Sequence, residues 1–211
     1  IARREKRNLT IDDVLQGLPE VVRLTDEHRY ANAVHEAGHT LVGIRLGVGK
    51  YVGTRLVQQL SLGKGASSQA GAAYFEMPMI AHRGRANYSD RIAMTMAGLA
   101  AEDLIFGETF DGAGAGPSSD LARATWLATM METSLGMGSS YRHCVATDDD
   151  GLESLRRSDP DLRKRIDVKL AREFSRAKGI LENERDVLLA LAKELFDRCT
   201  LDPEKAAEII E

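Results

Sequence analysis

The motif formed by His35, Glu36 and His39 constrains this chain more than any other stretch. Apolar residues recur with helical spacing through residues 26 to 46, and Thr25 is a residue type favoured as a helix N-cap, so we predict a helix here. Side chains at positions i and i+4 project from one face of a helix. The two histidines can therefore bind a single metal ion, with the glutamate beside it.

The motif has the chemistry of a hydrolytic metal centre. Neutral imidazoles are good zinc ligands, and a catalytic zinc site needs three protein ligands and one open position. A bound zinc ion lowers the pKa of water to about 7, and Glu36 could accept the proton that this water gives up. The same five letters also arise by chance in solvated helices. However, Gly38 and Gly43 each cost about 1 kcal/mol of helix propensity, which indicates that another element packs closely against this helix.

Two carboxylates compete for the position of third ligand. Residues 87 to 106 have helical spacing, with Asn87 or Ser89 as cap, and carry Glu102. A further helix is predicted from Asp120 to about Leu135. A set of two histidines and a glutamate is an established zinc arrangement. An acidic residue in the first turn of a helix often only complements the helix dipole. The residues alone leave both candidates open.

Between the motif helix and the next helix, residues 50 to 60 and 70 to 77 resemble two short strands. The glycine-rich link from Leu62 to Ser68 joins them. It is not a phosphate-binding loop, because Lys64 is followed by Gly instead of Ser or Thr. We therefore predict that ATP is not bound by this chain.

Composition excludes several classes of protein. The net charge is −4 over 211 residues, whereas a nucleic-acid-binding domain would carry a basic surface. No uninterrupted apolar run approaches the roughly 20 residues of a membrane span. Cys144 and Cys199 show no metal-ligand spacing, which favours a reduced compartment. We expect neither a nucleic-acid partner nor a membrane segment in this chain.

From residue 139 onwards the spacing is helical. Stripes of apolar residues predict a helical hairpin that begins at Asp159-Pro160, is interrupted at Gly179, and precedes a last short helix capped by Asp202. The predicted fold is mainly α-helical, with a small β-hairpin or sheet beside the motif helix. Residues 25–138 would form a catalytic half and residues 139–211 a helical C-terminal half.

Several blocks of sequence, taken together, resemble one known family. After the motif helix come a strand ending in Glu-Met-Pro at residue 78, the block from Met96 to Gly107, the block from Ser119 to Met131, and Leu135-Gly-Met. This order resembles the peptidase domain of the FtsH family of membrane-anchored, zinc-dependent AAA proteases. The segment after the motif helix and the glycine-rich loop before residue 120 depart from the family pattern, so the chain resembles a divergent member.

The resemblance assigns roles to individual residues. It implies that His35, His39 and Asp120 bind the metal and that Glu36 is the general base. Glu102, the other candidate for the third ligand, would then not bind the metal and would instead orient an imidazole. The edge strand for an unfolded substrate would comprise Ala73, Tyr74, Phe75 and Glu76.

The resemblance also implies cofactors, partners and a location. It predicts one Zn²⁺ per chain, a homo-hexamer, unfolded or membrane proteins as substrates, and ATP used only by an AAA ATPase module absent from this chain. Residues 1–24 would be the end of that module's lid, since the first residue is Ile and we expect a longer protein. An anchored protein would lie at the cytoplasmic face of a bacterial inner membrane, or at an organelle membrane. The alternatives are a non-catalytic helical assembly module with a structural metal and a stand-alone zinc peptidase of the His-His-Glu type.

Overall fold

The computed structural model describes residues 3, 6–18, 20–62, 69–77, 79, 82–113, 116, 118–139, 143–144 and 148–211. Of the predicted link from Leu62 to Ser68, all but Leu62 lies outside this part of the chain. The fold is mainly α-helical with few short strands, as predicted. In chain order the elements are α1 (Ile11–Gly17), β1 (Glu20–Arg23), α2 (Asp26–Arg45), β2 (Lys50–Leu56), β3 (Gln59–Leu62), β4 (Gly71–Glu76), α3 (Arg85–Phe106), α4 (Asp120–Thr133), α5 (Asp149–Ser158), α6 (Pro160–Asn183), α7 (Arg185–Arg198), β5 (Thr200–Leu201) and α8 (Pro203–Ile210). No helix among these residues is long and apolar enough to cross a membrane.

The motif helix α2 lies at the centre of the core. Thr25 caps it by accepting a hydrogen bond from the backbone N–H of His28, as the sequence predicted. Its buried residues pack against α3 on one side and α7 on the other. At Gly38 the approach of α3 is so close that a Cβ would lie 2.5 Å from the carbonyl oxygen of Ala97 and 2.7 Å from the Cβ of Ala101. The helix propensity lost at this glycine is therefore offset by close helix packing.

We expect Gly38→Ala to lower the free energy of unfolding by about 1–3 kcal/mol, because the added methyl group overpacks the contact between α2 and α3. Gly179→Ala is the matched control, since Gly179 also lies inside a helix but has no heavy atom within 4 Å of the added Cβ. There the gain in helix propensity should raise the free energy of unfolding by about 0.5–1 kcal/mol. Urea denaturation of both variants measures the difference. Equal stabilisation by the two alanines would contradict the close contact.

A three-stranded antiparallel sheet packs beside α2 in the order β4-β2-β5. The pairing of β2 with β4 runs from Lys50 opposite Glu76 to Leu56 opposite Gly71. In the part of the chain that the structure describes, β2 is the only strand paired with β4, so the other edge of β4 has no strand partner.

The single strand predicted for residues 50 to 60 is wrong, because the chain changes partner at its middle. The strand β2 ends at Leu56, and β3 pairs with β1 in a separate two-stranded ribbon. The backbone N–H of Val57 donates to the carbonyl of Ala70, whereas the carbonyl of Gln58 accepts from Leu24. The strand β1 was not predicted, since all four of its residues are exposed and carry no burial pattern.

Three finer predictions about the helices are also wrong. The helix α3 begins at Arg85 after Gly84, and Asn87 is not the cap but accepts a hydrogen bond from the N–H of Gly84 at 2.9 Å. The helix α6 continues through Gly179 to Asn183, because nothing crowds that glycine. The apolar residues of the helix that starts at Asp120 predict that Leu121 is buried, but the structure places Leu121 at the surface.

Candidate metal centre

Three side chains from two helices converge at one point. The Nε2 atoms of His35 and His39 lie 3.0 Å apart. The Oδ2 atom of Asp120 lies 3.1 Å from the first and 3.2 Å from the second. The histidines come from α2, and Asp120 is the first residue of α4, where Ser119 forms the N-cap through its side chain. The structure thus brings together residues that are 85 positions apart in the chain.

The outer nitrogens of both rings have hydrogen-bond partners. Nδ1 of His39 donates to the carbonyl oxygen of Met94 at 2.7 Å, and Nδ1 of His35 lies 2.7 Å from Oε1 of Glu102. A carbonyl oxygen can only accept a hydrogen bond, so the hydrogen of a neutral His39 is on Nδ1. Its Nε2 then presents a lone pair to the other two converging atoms. The carboxylate of Glu102 favours the same tautomer in His35.

Lone pairs from two nitrogens and one carboxylate therefore face one another at 3.0–3.2 Å. These contacts repel unless a proton or a cation lies among them. Tetrahedral zinc ligands about 2 Å from the ion lie roughly 3.3 Å apart, and zinc accepts two imidazoles with a carboxylate. The atoms, their spacing and the orientation of both rings fit a zinc ion.

When no metal is bound, a proton can reduce the repulsion among these lone pairs. Burial by itself would lower the pKa of His35, but hydrogen bonds to Asp120 and Glu102 outweigh it and raise the pKa to about 10. Burial likewise would raise the pKa of Asp120, but hydrogen bonds from His35 and His39 outweigh it and hold the pKa well below its usual range. The cluster thus holds an anionic carboxylate that attracts positive charge.

Glu102 lies behind His35 and outside the three-atom cluster. Its Oε1 meets the outer nitrogen of His35, and its Oε2 accepts a hydrogen bond from the backbone N–H of Phe110 at 2.9 Å. The side chain is only 4% exposed. Both carboxylate oxygens are therefore engaged on the side of the ring that faces away from Asp120.

The side chain of Glu36, a residue of α2, lies against the start of β4. Burial raises the pKa of its carboxyl group, against the opposing effect of His39 and His35 and of a hydrogen bond from the backbone of Ala73. A Cβ at Gly71 would lie 2.7 Å from Cγ of Glu36 and 3.0 Å from its Oε1. The glycine at the start of β4 therefore leaves the room that the Glu36 carboxyl group occupies.

The strand proposed for the substrate, β4, borders this carboxyl group. Phe75 turns toward α2, where its ring lies against Gly43 and leaves no space for a side chain there. Tyr74 points to the opposite face of the sheet and is 51% exposed. Ala73 and Glu76 pair with Thr54 and Lys50 of β2, so their outer edge is free of strand partners among the described residues.

Sequence reasoning missed the residues that hold the two rings in place. Met94 contributes a backbone carbonyl, which any residue could supply, so no sequence signal identifies it. Gly98 lies directly against the ring of His35, and a Cβ there would clash with the imidazole. A glycine inside a helix, far from its ends, is the signal that could have identified this position.

Comparisons with known proteins agree on one family. The model of peptidase family M41 matches residues 22–209. The chain is 29% identical to the ATP-dependent zinc metalloprotease FtsH 2 of Symbiobacterium thermophilum, over 99% of this chain and 36% of the relative. It is 29% identical to the ATP-dependent zinc metalloprotease FtsH of Thermus thermophilus, over 100% and 35%. It is 35% identical to the ATP-dependent zinc metalloprotease FtsH 3 of Sorangium cellulosum, over 90% and 30%. The chain spans about a third of the length of these curated relatives.

Proposed function

Because this chain belongs to peptidase family M41, we propose that it is the zinc-dependent endopeptidase domain of an ATP-dependent, FtsH-like protease. The observation that carries the proposal is the convergence of His35, His39 and Asp120, whose three ligand atoms lie within 3.2 Å of one another. We assign these three residues as the metal ligands. Zinc bound there would act as a Lewis acid and would lower the pKa of its bound water to about 7.

The protein residues supply orientation and proton transfer. Met94 and Glu102 hold the two imidazoles so that both Nε2 lone pairs point to one place. Glu36 accepts the proton from the water that attacks the peptide carbonyl and passes it to the leaving amine. Burial raises the pKa of the Glu36 carboxyl group, which favours its holding the proton between the two steps.

The free edge of β4 provides the substrate site. An extended peptide can add to a sheet edge through main-chain hydrogen bonds, which every sequence can form. Gly71 and Ala73 bring this edge next to the carboxyl group of Glu36. Unfolded polypeptides are accordingly the substrate class that we propose, and membrane proteins would be cleaved after being unfolded.

Because the relatives are about three times as long as this chain, we extend the proposal to a longer protein. Residues 1–24 would be the end of an ATPase lid, residues 25–138 the catalytic half and residues 139–211 the helical half. An AAA ATPase module would bind ATP and feed the substrate, and six copies would form a ring. An anchored form would lie at the cytoplasmic face of a bacterial membrane. These assignments rest on family membership.

The engagement of both oxygens of Glu102 supports the His-His-Asp assignment over a stand-alone peptidase of the His-His-Glu type. The non-catalytic assembly module is the competing reading of the chain as a whole. It differs from the proposal in one measurable property: a non-catalytic module would not hydrolyse peptides, whether or not it binds a metal.

The experiment is metal removal and replacement. We expect dialysed protein to contain one zinc per chain by elemental analysis, and to cleave an unfolded casein substrate. A chelator should remove both the metal and the activity, and added zinc should restore both. Metal content of zero, even after zinc is added back, would favour the non-catalytic module. So would zinc that stays bound while casein remains intact in the presence of the ATPase module.

A further inference from the structure

A cavity of about 800 Å³ opens beside the metal centre, in the range of natural ligand pockets. Ser119 and Leu121, which flank Asp120 in the chain, form one part of its wall. Met94, whose carbonyl orients His39, forms another part, and Met77, the residue after β4, forms a third. A peptide lying along β4 would therefore pass the mouth of the cavity as it leaves the metal centre.

One part of the cavity wall is apolar. Its wall includes the side chains of Met94, Trp126 and Leu127. The volume is large enough for a long side chain and its stem, so the methylene groups of such a side chain would be removed from water there. An apolar wall alone discriminates weakly between side chains, because it rewards any of them in proportion to area.

Three guanidinium groups line the cavity, and that of Arg156 is paired with Glu153. Arg91 from α3 and Arg123 from α4 both line it, and neither forms an ion pair with any carboxylate in the described part of the chain. Arg91 is half-buried, with its guanidinium 5.8 Å from the centre of the Tyr88 ring. Burial lowers the pKa of Arg91, and the positive charges of Arg83 and Arg123 lower it further.

Acidic residues also border the cavity, but they are already compensated. Asp149 and Asp150 lie in the exposed first turn of α5, where the helix dipole and water stabilise their charges. Glu153 pairs with Arg156 and Arg157. The least compensated charge in the wall is therefore that of the half-buried Arg91 on α3, and the exposed Arg123 on α4 adds a second positive charge beside it.

We propose that this cavity is a specificity subsite that receives an acidic side chain of the substrate, close to the bond that is cleaved. The inference rests on the proposed function, since it supposes that a peptide lies along β4. A carboxylate at the end of a flexible stem can place its methylene groups against Trp126 and Leu127 and accept hydrogen bonds from Arg91 and Arg123. Glutamate matches this arrangement of an apolar wall and a cationic end.

The test uses the only tryptophan in the chain, Trp126, whose fluorescence reports directly on the cavity. The protein carries Glu36→Gln so that bound peptides stay intact. The probes are unstructured alanine-rich peptides that differ only at a central Glu, Gln, Lys or Leu. We expect the Glu peptide to bind about tenfold more tightly than the Gln peptide, because a carboxylate forms stronger hydrogen bonds to guanidinium groups than an amide oxygen does.

Substitution of the arginines should remove this preference. We expect Arg91→Gln and Arg123→Gln each to reduce the ratio of Gln to Glu dissociation constants to about 2 or less, while the affinity for the Gln peptide stays unchanged and shows that the fold is intact. Arg163→Gln is the matched control, because Arg163 is exposed on α6 and does not line the cavity. Equal affinity for the Glu and Gln peptides in the parent protein, or tightest binding of the Lys or Leu peptide, would overturn the proposal.

Cleavage by the protein with Glu36 intact separates this inference from the proposed function. Hydrolysis of all peptides at similar kcat/KM would overturn the acidic subsite and leave the peptidase assignment standing. A tenfold preference in Trp126 fluorescence without any zinc-dependent cleavage would support an acidic binding site and count against the peptidase.

Discussion

Glu36→Gln should leave zinc bound and lower the rate of peptide cleavage by at least about 100-fold. Glutamine has the shape of glutamate but cannot accept a proton, and a general base contributes about 10²–10⁴ to a hydrolytic rate. Because the side chain is 7% exposed and lies against Gly71, the isosteric change should not disturb the neighbouring strand. The measurement is kcat for an unfolded substrate alongside zinc per chain.

Glu27→Gln is the control for this substitution. Glu27 lies in the exposed first turn of the same helix, so its change alters the net charge equally without approaching the metal centre. It should retain wild-type cleavage. Cleavage at the wild-type rate in Glu36→Gln would remove Glu36 from the mechanism, and loss of zinc in that variant would instead make it a residue that supports metal binding.

Asp120→Ala should reduce bound zinc from about one per chain to less than a tenth of that value. The substitution leaves two imidazoles, one ligand fewer than a catalytic zinc site requires. Glu102→Gln should keep the metal, with an affinity lower by about 10–100-fold, since partners of a ligating histidine have effects of that size. Zinc titration against a competing chelator measures both affinities.

Asp186→Ala serves as the control, because Asp186 also occupies the first turn of a helix but lies at the surface of α7. It should bind zinc as the wild type does. The reverse ranking, with zinc kept in Asp120→Ala and lost in Glu102→Gln, would give the third ligand position to Glu102. It would also favour the stand-alone peptidase type.

The local parts of the site could be predicted from the sequence. The spacing of His35 and His39, the cap at Thr25 and the apolar stripe all lie within one helix, where position along the chain determines position in space. Close packing at Gly38 and Gly43 was also predicted, because a glycine inside a helix has a recognisable cost. The structure identifies the packing partners as Ala97 and Ala101 for the first and Phe75 for the second.

The long-range parts could not be derived from the residues. Asp120 and Glu102 are both acidic residues on predicted helices, and their sequence separation from His39 does not distinguish them. Only the packing of α3 and α4 in the folded chain places the Asp120 carboxylate at Nε2 of His35 and the Glu102 carboxylate at Nδ1 of the same ring. The resemblance to a family led to the choice of Asp120, and the assignment stays a prediction until the metal is measured. The β1–β3 ribbon was missed because its pairing, too, depends on distant residues.

The pairing of β5 with β2 delays completion of the sheet during synthesis of the chain. Thr200 and Leu201 bond to Arg55 and Thr54, and α7 packs on α2. A ribosome adds about 5–20 residues per second, so roughly 10–30 s pass between the synthesis of the histidine-bearing helix and the synthesis of these neighbours. The sheet that carries β4 is complete only once Thr200 and Leu201 have been made. Hydrolytic competence should therefore arise only after residue 201 has left the ribosome, and a shorter nascent chain would carry the motif without being able to cleave its neighbours.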